Sequence, residues 1–472
     1  MAFFTPLEIT RNRLLSQEQA ARIHELAKDI LFNIGIEILN ESLLDQLNRQ
    51  GFHCLGNRVY FDPAIVDEYI EDMHHRIANK SSPTPVDNQF KLYVNSYSMF
   101  VHHLDTDCIV RYDTPKLIEM TKFIDTLYGE GVSNLPPGIP MDEPPDLQPI
   151  AQYRIAALYA RQGAAPVDPT SVRTIDYLME MAQVMNSPIT HLYVWVPTPL
   201  RLGGESLDVV LACQDRLSSI TVGNMPSAGA TVPLQPFGAL ALTSAELIGA
   251  MIVVQVITGK PTSFHVPLFP FDLRAGAMVL GSPEAMLYSM LSAEMNHFYG
   301  YPWNPAPGSI MVMAKRPDEQ AAAEKTANLI IGALLGARSF YWAGTLSLDE
   351  IFSPIQLLVD CEIRDWAQQA TRGIWLGEEA VEDWISEIKT GLKRGFMGLD
   401  STLDYHNLYT WYPRFFERGA IGGWFSRGQP YLENRLRAEV KKRIASHNFE
   451  LDSTQRKEID RIYSNARQKL LS

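Results

Sequence analysis

The chain reads as an α/β protein: a TIM-type (β/α)8 barrel with an N-terminal helical and β layer and a C-terminal helical extension. Three observations point there. Short β-branched or aromatic runs recur roughly thirty to forty-five residues apart, as HLYVWVP from His191, SSITVGNMP from Ser218, TSFHVPLF from Thr262, GSIMVM from Gly308 and ARSFYWAG from Ala337. Helical patterns fill the intervals, as parallel strands joined by crossover helices require. The runs end in aromatics, His, Pro and Gly rather than in acids. Strand C-termini carry the active site in such a barrel, so Trp195, Asn224, His265, Phe269, Met313, Tyr341 and Trp342 become candidate functional residues.

The elements follow in order. Residues 16–50 carry a helical period, with Ala20, Ile23, Ala27, Ile30 and Leu31 on one face and Ser16 placed to cap the start. GFHCLGNRVYF from Gly51 and KLYVNSYSMFVHHLDTDCIVRYD from Lys91 alternate like antiparallel strands on either side of a helix near Pro63–Met73. Residues 1–113 are therefore expected to pack as a helical and antiparallel β region on a barrel formed by 114–472. From Thr114 helices alternate with short runs, including GAAPVDP before a helix to Val184, and a Pro-rich loop spans Val132 to Asp146. After Leu348 the pattern is almost wholly helical.

Composition narrows the function. A chain of 472 residues with 46% hydrophobic content buries a full core, and a net charge of −13 argues against nucleic-acid binding, which clusters Lys and Arg. Cys54, Cys108, Cys213 and Cys361 stand singly, without metal-site spacing, and are expected to be buried and inert. No secretory signal is indicated by MAFFTPLEITRNRLL, and the apolar run LIGAMIVVQVI from Leu247 stops well short of the ~20 residues that span a bilayer, so a soluble, cytoplasmic enzyme is expected.

Standard catalytic motifs are missing: there is no HExxH, no GxxxxGK[ST], no GxGxxG and no GxSxG. His102 and His103 are adjacent on an expected strand and face opposite ways, and no metal site is expected. Asp360 and Arg364 have the spacing of a helical salt bridge. What remains is aromatic. Trp195, Phe269, Phe271, Trp303, Tyr341, Trp342 and Phe352 lie near strand ends, with Tyr97 and Phe100 available from the N-terminal layer. A quaternary ammonium has no N–H to donate, so aromatic faces are how it is recognised. Any one of these rings taken singly fits the core better than a cage, because aromatics fill barrels and interfaces.

The segment LSQEQAARIHELAKDILFNIGIEILNESLLDQLNRQGFHC, with NRVYFDPAIVDEYI, resembles the N-terminal signature of the trimethylamine methyltransferase superfamily. GNMPSAGATVPLQPFGALALTSAELIGAMIVVQVITGKP and GAMVLGSPEAMLYSM are similar to its central motif, through Gly229, Ala230, Thr231, Pro233, Gly238, Glu246, Gly281, Pro283 and Glu284. The resemblance implies a TIM-barrel enzyme that moves a methyl group from an amine to the Co(I) of a corrinoid protein. Founding members carry pyrrolysine in the segment that reads SIMVMAKRPDEQAAAE here, where Met311, Met313 and Lys315 are ordinary residues. Relatives without pyrrolysine demethylate quaternary amines such as glycine betaine, proline betaine or carnitine.

The expected function is thus methyl transfer from a quaternary amine to a cognate corrinoid protein, with no tightly bound cofactor and with cobalamin supplied by that partner. Trp195, His265, Tyr341, Trp342 and Phe352 are expected around the methylammonium, and Tyr97 and Arg274 near the rest of the ligand. No protein acid or base is needed. Apolar helical sequence such as 325–337 points to a homo-oligomer. Two rival readings are a lyase-type barrel enzyme with Asp142, Asp168 or Asp272 at the mouth, and a non-catalytic binder of the same amine.

Overall fold

A computed structural model describes residues 13–80, 89–133, 135–161, 168–303, 308–377 and 380–471. The architecture is mixed α/β. The first helix, Gln17–Asn33, starts as expected at Ser16: the Ser16 hydroxyl accepts the Gln19 N–H, and the Gln19 side chain accepts the Ser16 N–H. Each such cap contributes about 1 kcal/mol. The buried face of Ala20, Ile23, Ala27 and Leu31 packs on the long helix Pro236–Thr258. Gly249 permits that approach, since a Cβ there would come within 2.8 Å of Leu31 Cδ2.

The 236–258 helix corrects one expectation. At 23 residues it is long and apolar enough to cross a membrane, because the helix begins well before Leu247. Its most apolar stretch is 78% buried inside the protein, so it serves here as a core helix.

His53–Leu55 and Arg58–Tyr60 form the expected antiparallel hairpin, joined by Ile36–Ile38, which pairs parallel with Arg201–Leu202. Phe100–His102 and Ile109–Arg111 form a second antiparallel hairpin. Lys91–Val94 departs from the antiparallel expectation. It pairs parallel with Ser339–Ala343, and Leu92 bridges parallel to Val132 on its other side.

Parallel pairing falls into two arcs. In one, His191–Trp195, Ser219–Gly223 and Thr262–Phe264 lie side by side. In the other, Val132, Lys91–Val94, Ser339–Ala343 and Ser309 follow in order. All five sequence runs thus contribute to parallel pairing, GSIMVM through the single bridge at Ser309. Among the described residues no strand pairing joins the two arcs.

Each arc has two unlike faces. Leu192, Val194, Leu92, Val94 and Phe340 are buried. Each such apolar side chain taken from water contributes about 1.5–3 kcal/mol. The intervening Tyr193, Trp195 and Tyr341 are open, at 42%, 40% and 49% exposure.

The C-terminal part is helical, as expected. Leu432–Ala445 returns to pack on Pro354–Thr371 and Thr114–Asp125, and Ser453–Leu470 packs on Val172–Val184. Two smaller expectations fail. Asp360 pairs with Lys325 at 3.0 Å rather than with Arg364, which turns to Asp365 at 2.7 Å. Cys213 and Cys361 are buried, with thiols pushed up to about 11 by desolvation, but Cys108 is exposed.

Candidate functional site

The site begins with strand alternation. Along His191–Trp195 every second side chain points to the open face, so Tyr193 and Trp195 share it and stack with centroids 5.5 Å apart. In the other arc Tyr93 and Tyr341 are register partners and stack at 4.9 Å. The Tyr193 phenol is close enough to act electrostatically on Tyr97, Tyr341 and Tyr301.

A β-bulge sets the next ring. The pairing of Ser339–Ala343 with Lys91–Val94 shifts register between Tyr341 and Ala343, leaving Trp342 as the extra residue at a φ of 74°. Its ring comes to 6.4 Å from that of Tyr97. Ser347 and Leu348, just beyond, also have positive φ, 51° and 64°. Left-handed backbone at residues with side chains costs about 1–3 kcal/mol each and persists only where the surroundings impose it.

A buried ion pair supplies that imposition. Lys325 and Asp360 are both fully buried, 3.0 Å apart. The Lys325 ammonium also donates to the Trp342 carbonyl at 3.1 Å, and Asp360 accepts the Gly344 N–H at 2.7 Å. Desolvation lowers the Lys325 pKa, and Asp360 opposes that shift. The strand end carrying Trp342 is thereby held from below.

Asp168 connects the arcs. Its Oδ2 accepts the Tyr97 hydroxyl at 2.6 Å and the Trp195 indole N–H at 3.4 Å, the long limit for such a bond. Tyr97 follows the strand of one arc, and Trp195 ends a strand of the other. Burial first, and Asp168 second, raise the Tyr97 pKa, so its hydroxyl stays protonated and donating. The open rings are accessible, yet recessed enough for desolvation to raise Tyr193 and Tyr341 as well. Burial also raises Asp349, whose carbonyl accepts from Asn95 and Ser98.

Of the seven residues expected from sequence, Tyr97, Trp195, Tyr341 and Trp342 come together here. His265 follows Thr262–Phe264, which is separated from the Trp195 strand by Ser219–Gly223; its ring is 4.1 Å from that of Tyr301, beside a cavity of about 600 Å³ that Met286 and Met311 also line. Desolvation lowers its pKa, which favours neutral imidazole. Phe352 does not join the rings: it is fully buried in the core, lying over Gly344, where a Cβ would meet it at 2.6 Å. Arg274 sits in an exposed turn, its backbone N–H donating to Asp272 at 2.7 Å, and no described ring contact involves it. Asn224 turns inward to Glu246, which also accepts from Thr198, each at 2.7 Å. Among the described residues no group of three His, Cys, Asp or Glu could hold a metal ion.

Sequence reading passed over Tyr93 and Tyr193 as site residues. Period-two counting back from Tyr341's partner strand and from Trp195 finds both.

The family model for trimethylamine methyltransferase (MTTB) matches residues 5–97 and 169–469. The chain belongs to that family. It is 30% identical over 268 residues to trimethylamine methyltransferase MttB of Methanosarcina barkeri, a match covering 56% of this chain and 53% of the relative. The chain thus spans about half the length of the Methanosarcina relatives it matches. Glycine betaine methyltransferase of Desulfitobacterium hafniense is 24% identical over 454 residues, covering 92% of both chains. Proline betaine:corrinoid methyltransferase of Eubacterium limosum is 20% identical over 480 residues, covering 95% of this chain and 97% of the relative. The crystal structure of Methanosarcina barkeri monomethylamine methyltransferase aligns over 96% of this chain and 97% of its own, with 12% identity and a TM-score of 0.38.

Proposed function

We propose that this protein transfers a methyl group from a quaternary amine to the Co(I) of a corrinoid protein. Family membership supports methyl transfer, and the betaine-named relatives, matched over nearly their whole length, support a quaternary amine. The observation that carries the reading is the clustering of the Tyr97, Tyr193, Trp195, Tyr341 and Trp342 rings, tied across the two arcs by Asp168. Ring faces attract a methylammonium with about 0.5–2 kcal/mol apiece and need no N–H from it.

The chemistry asks little of the side chains. The C–N bond breaks with its electron pair staying on nitrogen, and the methyl carbon receives a pair from Co(I), giving a tertiary amine and methyl-Co(III). No proton moves. The corrinoid is a substrate brought by its partner protein. The chain's residues hold one methyl in line, exclude water and keep the ammonium from tumbling, which is catalysis by proximity and orientation. Charge leaves nitrogen as the bond breaks, so a cage that grips the cation too tightly favours the ground state.

The same proposal closes the two arcs into one (β/α)8 barrel. The run containing Asp168 falls between Val132 and His191 in sequence, and its carboxylate touches both arcs. The lyase alternative needs an acid at the mouth, and Asp168 is one; formation of tertiary amine with Co(I) is what separates the two readings. The proposal also takes in a cytoplasmic homo-oligomer. Mass spectrometry of the amine tests the proposal: tertiary amine should form in proportion to Co(I) supplied. Tight binding of quaternary amines without such product would leave a binder instead.

A further inference from the structure

Resting on the quaternary-amine reading above, we propose that Asp168 is the counter-ion of the bound ammonium and restricts the substrate to quaternary amines whose remaining substituent is uncharged, excluding those with a carboxylate close to nitrogen. Two hydrogen bonds fix the orientation of this carboxylate, from Tyr97 at 2.6 Å and Trp195 at 3.4 Å, and both reach the same oxygen. Among the described residues Oδ1 accepts no hydrogen bond, so its charge is available to a ligand between those two rings. The rings that would surround a methylammonium are therefore the rings that aim the anion.

Charge balance at the site completes the case. The charged side chains acting most strongly on Tyr97 are Asp168 and Asp349, and Asp168 is the one acting on Tyr193. Among the described residues no Arg or Lys is hydrogen-bonded or ion-paired to Asp168, Tyr97, Tyr193 or Trp195. The Lys315 ammonium is bonded to the Ser347 hydroxyl at 2.9 Å, and the Arg274 turn makes no contact with the rings. A zwitterion with its carboxylate one carbon from nitrogen would bring two like charges into one recessed cleft, where screening by water is weak. A choline-like amine brings none, and its hydroxyl has an acceptor in Asp168.

The test is a binding and turnover screen on the full chain. Tetramethylammonium, choline, glycine betaine and carnitine are titrated by calorimetry, and each is assayed for tertiary amine formation with reduced corrinoid. Choline and tetramethylammonium should bind at least about tenfold more tightly than glycine betaine, by the charge argument above. Asp168→Asn should weaken choline about tenfold and narrow or reverse the gap to glycine betaine. Tyr97→Phe, which keeps the ring but frees the carboxylate, should give the same trend more weakly. If glycine betaine binds and turns over better than choline, or if the ranking survives Asp168→Asn, the selection by Asp168 is wrong while methyl transfer stands. If no quaternary amine gives a tertiary amine, the transfer reading fails and this inference falls with it.

Discussion

Gly223 carries no Cβ, and the Trp195 ring occupies that space: a Cβ there would approach Trp195 Cζ3 to 2.9 Å. Gly223→Ala should push the indole off its place beside Asp168 and weaken quaternary-amine binding severalfold with little loss of stability, read by calorimetry. Trp342→Ala should weaken binding about tenfold to thirtyfold, the worth of one desolvated cation–π contact. Unchanged affinity would return Trp342 to a packing role. At His265 the argument turns on protons. Its folded pKa lies below 6.5, as do those of buried His24 and His102, each chiefly through desolvation. Between pH 6.5 and those lower values the unfolded chain binds more protons than the folded one, so stability rises with pH in that window and falls on acidification. Scanning calorimetry should show Tm dropping from pH 7 to pH 6, less steeply for His265→Gln. Of the expected site residues, Trp195, Tyr341 and Trp342 were picked out at strand ends and Tyr97 from the N-terminal layer, and the structure brings their rings together. Phe352 misled because burial in the core and exposure at a rim look alike in sequence, and Asp168 stood out only as a rival's acid.

At the scale of elements, the strand end bearing Trp342 depends on an ion pair drawn from two different helices, Glu319–Leu334 and Pro354–Thr371. Removing one partner of a buried ion pair strands the other charge, which costs about 3–5 kcal/mol. Lys325→Met should therefore lower urea stability by about that amount, and it should also weaken amine binding, because the Trp342 carbonyl loses its donor. Loss of stability with unchanged affinity would show the bulge to be self-supporting. The five runs read from sequence do enter the parallel arcs. Lys91–Val94 was misread for a physical reason. Parallel strands covered on both faces read as continuous apolar runs. Here one face lines an open aromatic cleft, so KLYV alternates as a half-exposed antiparallel strand does. The Lys325–Asp360 pair escaped notice because the partners lie on different helices, whereas Asp360 and Arg364 share a helix and its spacing.

For the molecule as a whole, the bridging carboxylate and the stacked rings tie the two arcs together, and on the proposed function they hold the substrate cation still. Length and composition indicated a large acidic α/β chain, and the family resemblance rested on motifs spread along it; the family match bears that out. The partner's contribution was invisible to periodicity and entered through that resemblance alone. The central claim is that a methyl group passes from a quaternary nitrogen to cobalt on this protein. The most direct measurement is the visible spectrum of a reduced corrinoid protein mixed with this chain and a quaternary amine. The account predicts that Co(I) absorbance decays as methyl-Co(III) absorbance rises, only when chain and amine are both present. A Co(I) spectrum that persists with every quaternary amine tried would contradict it.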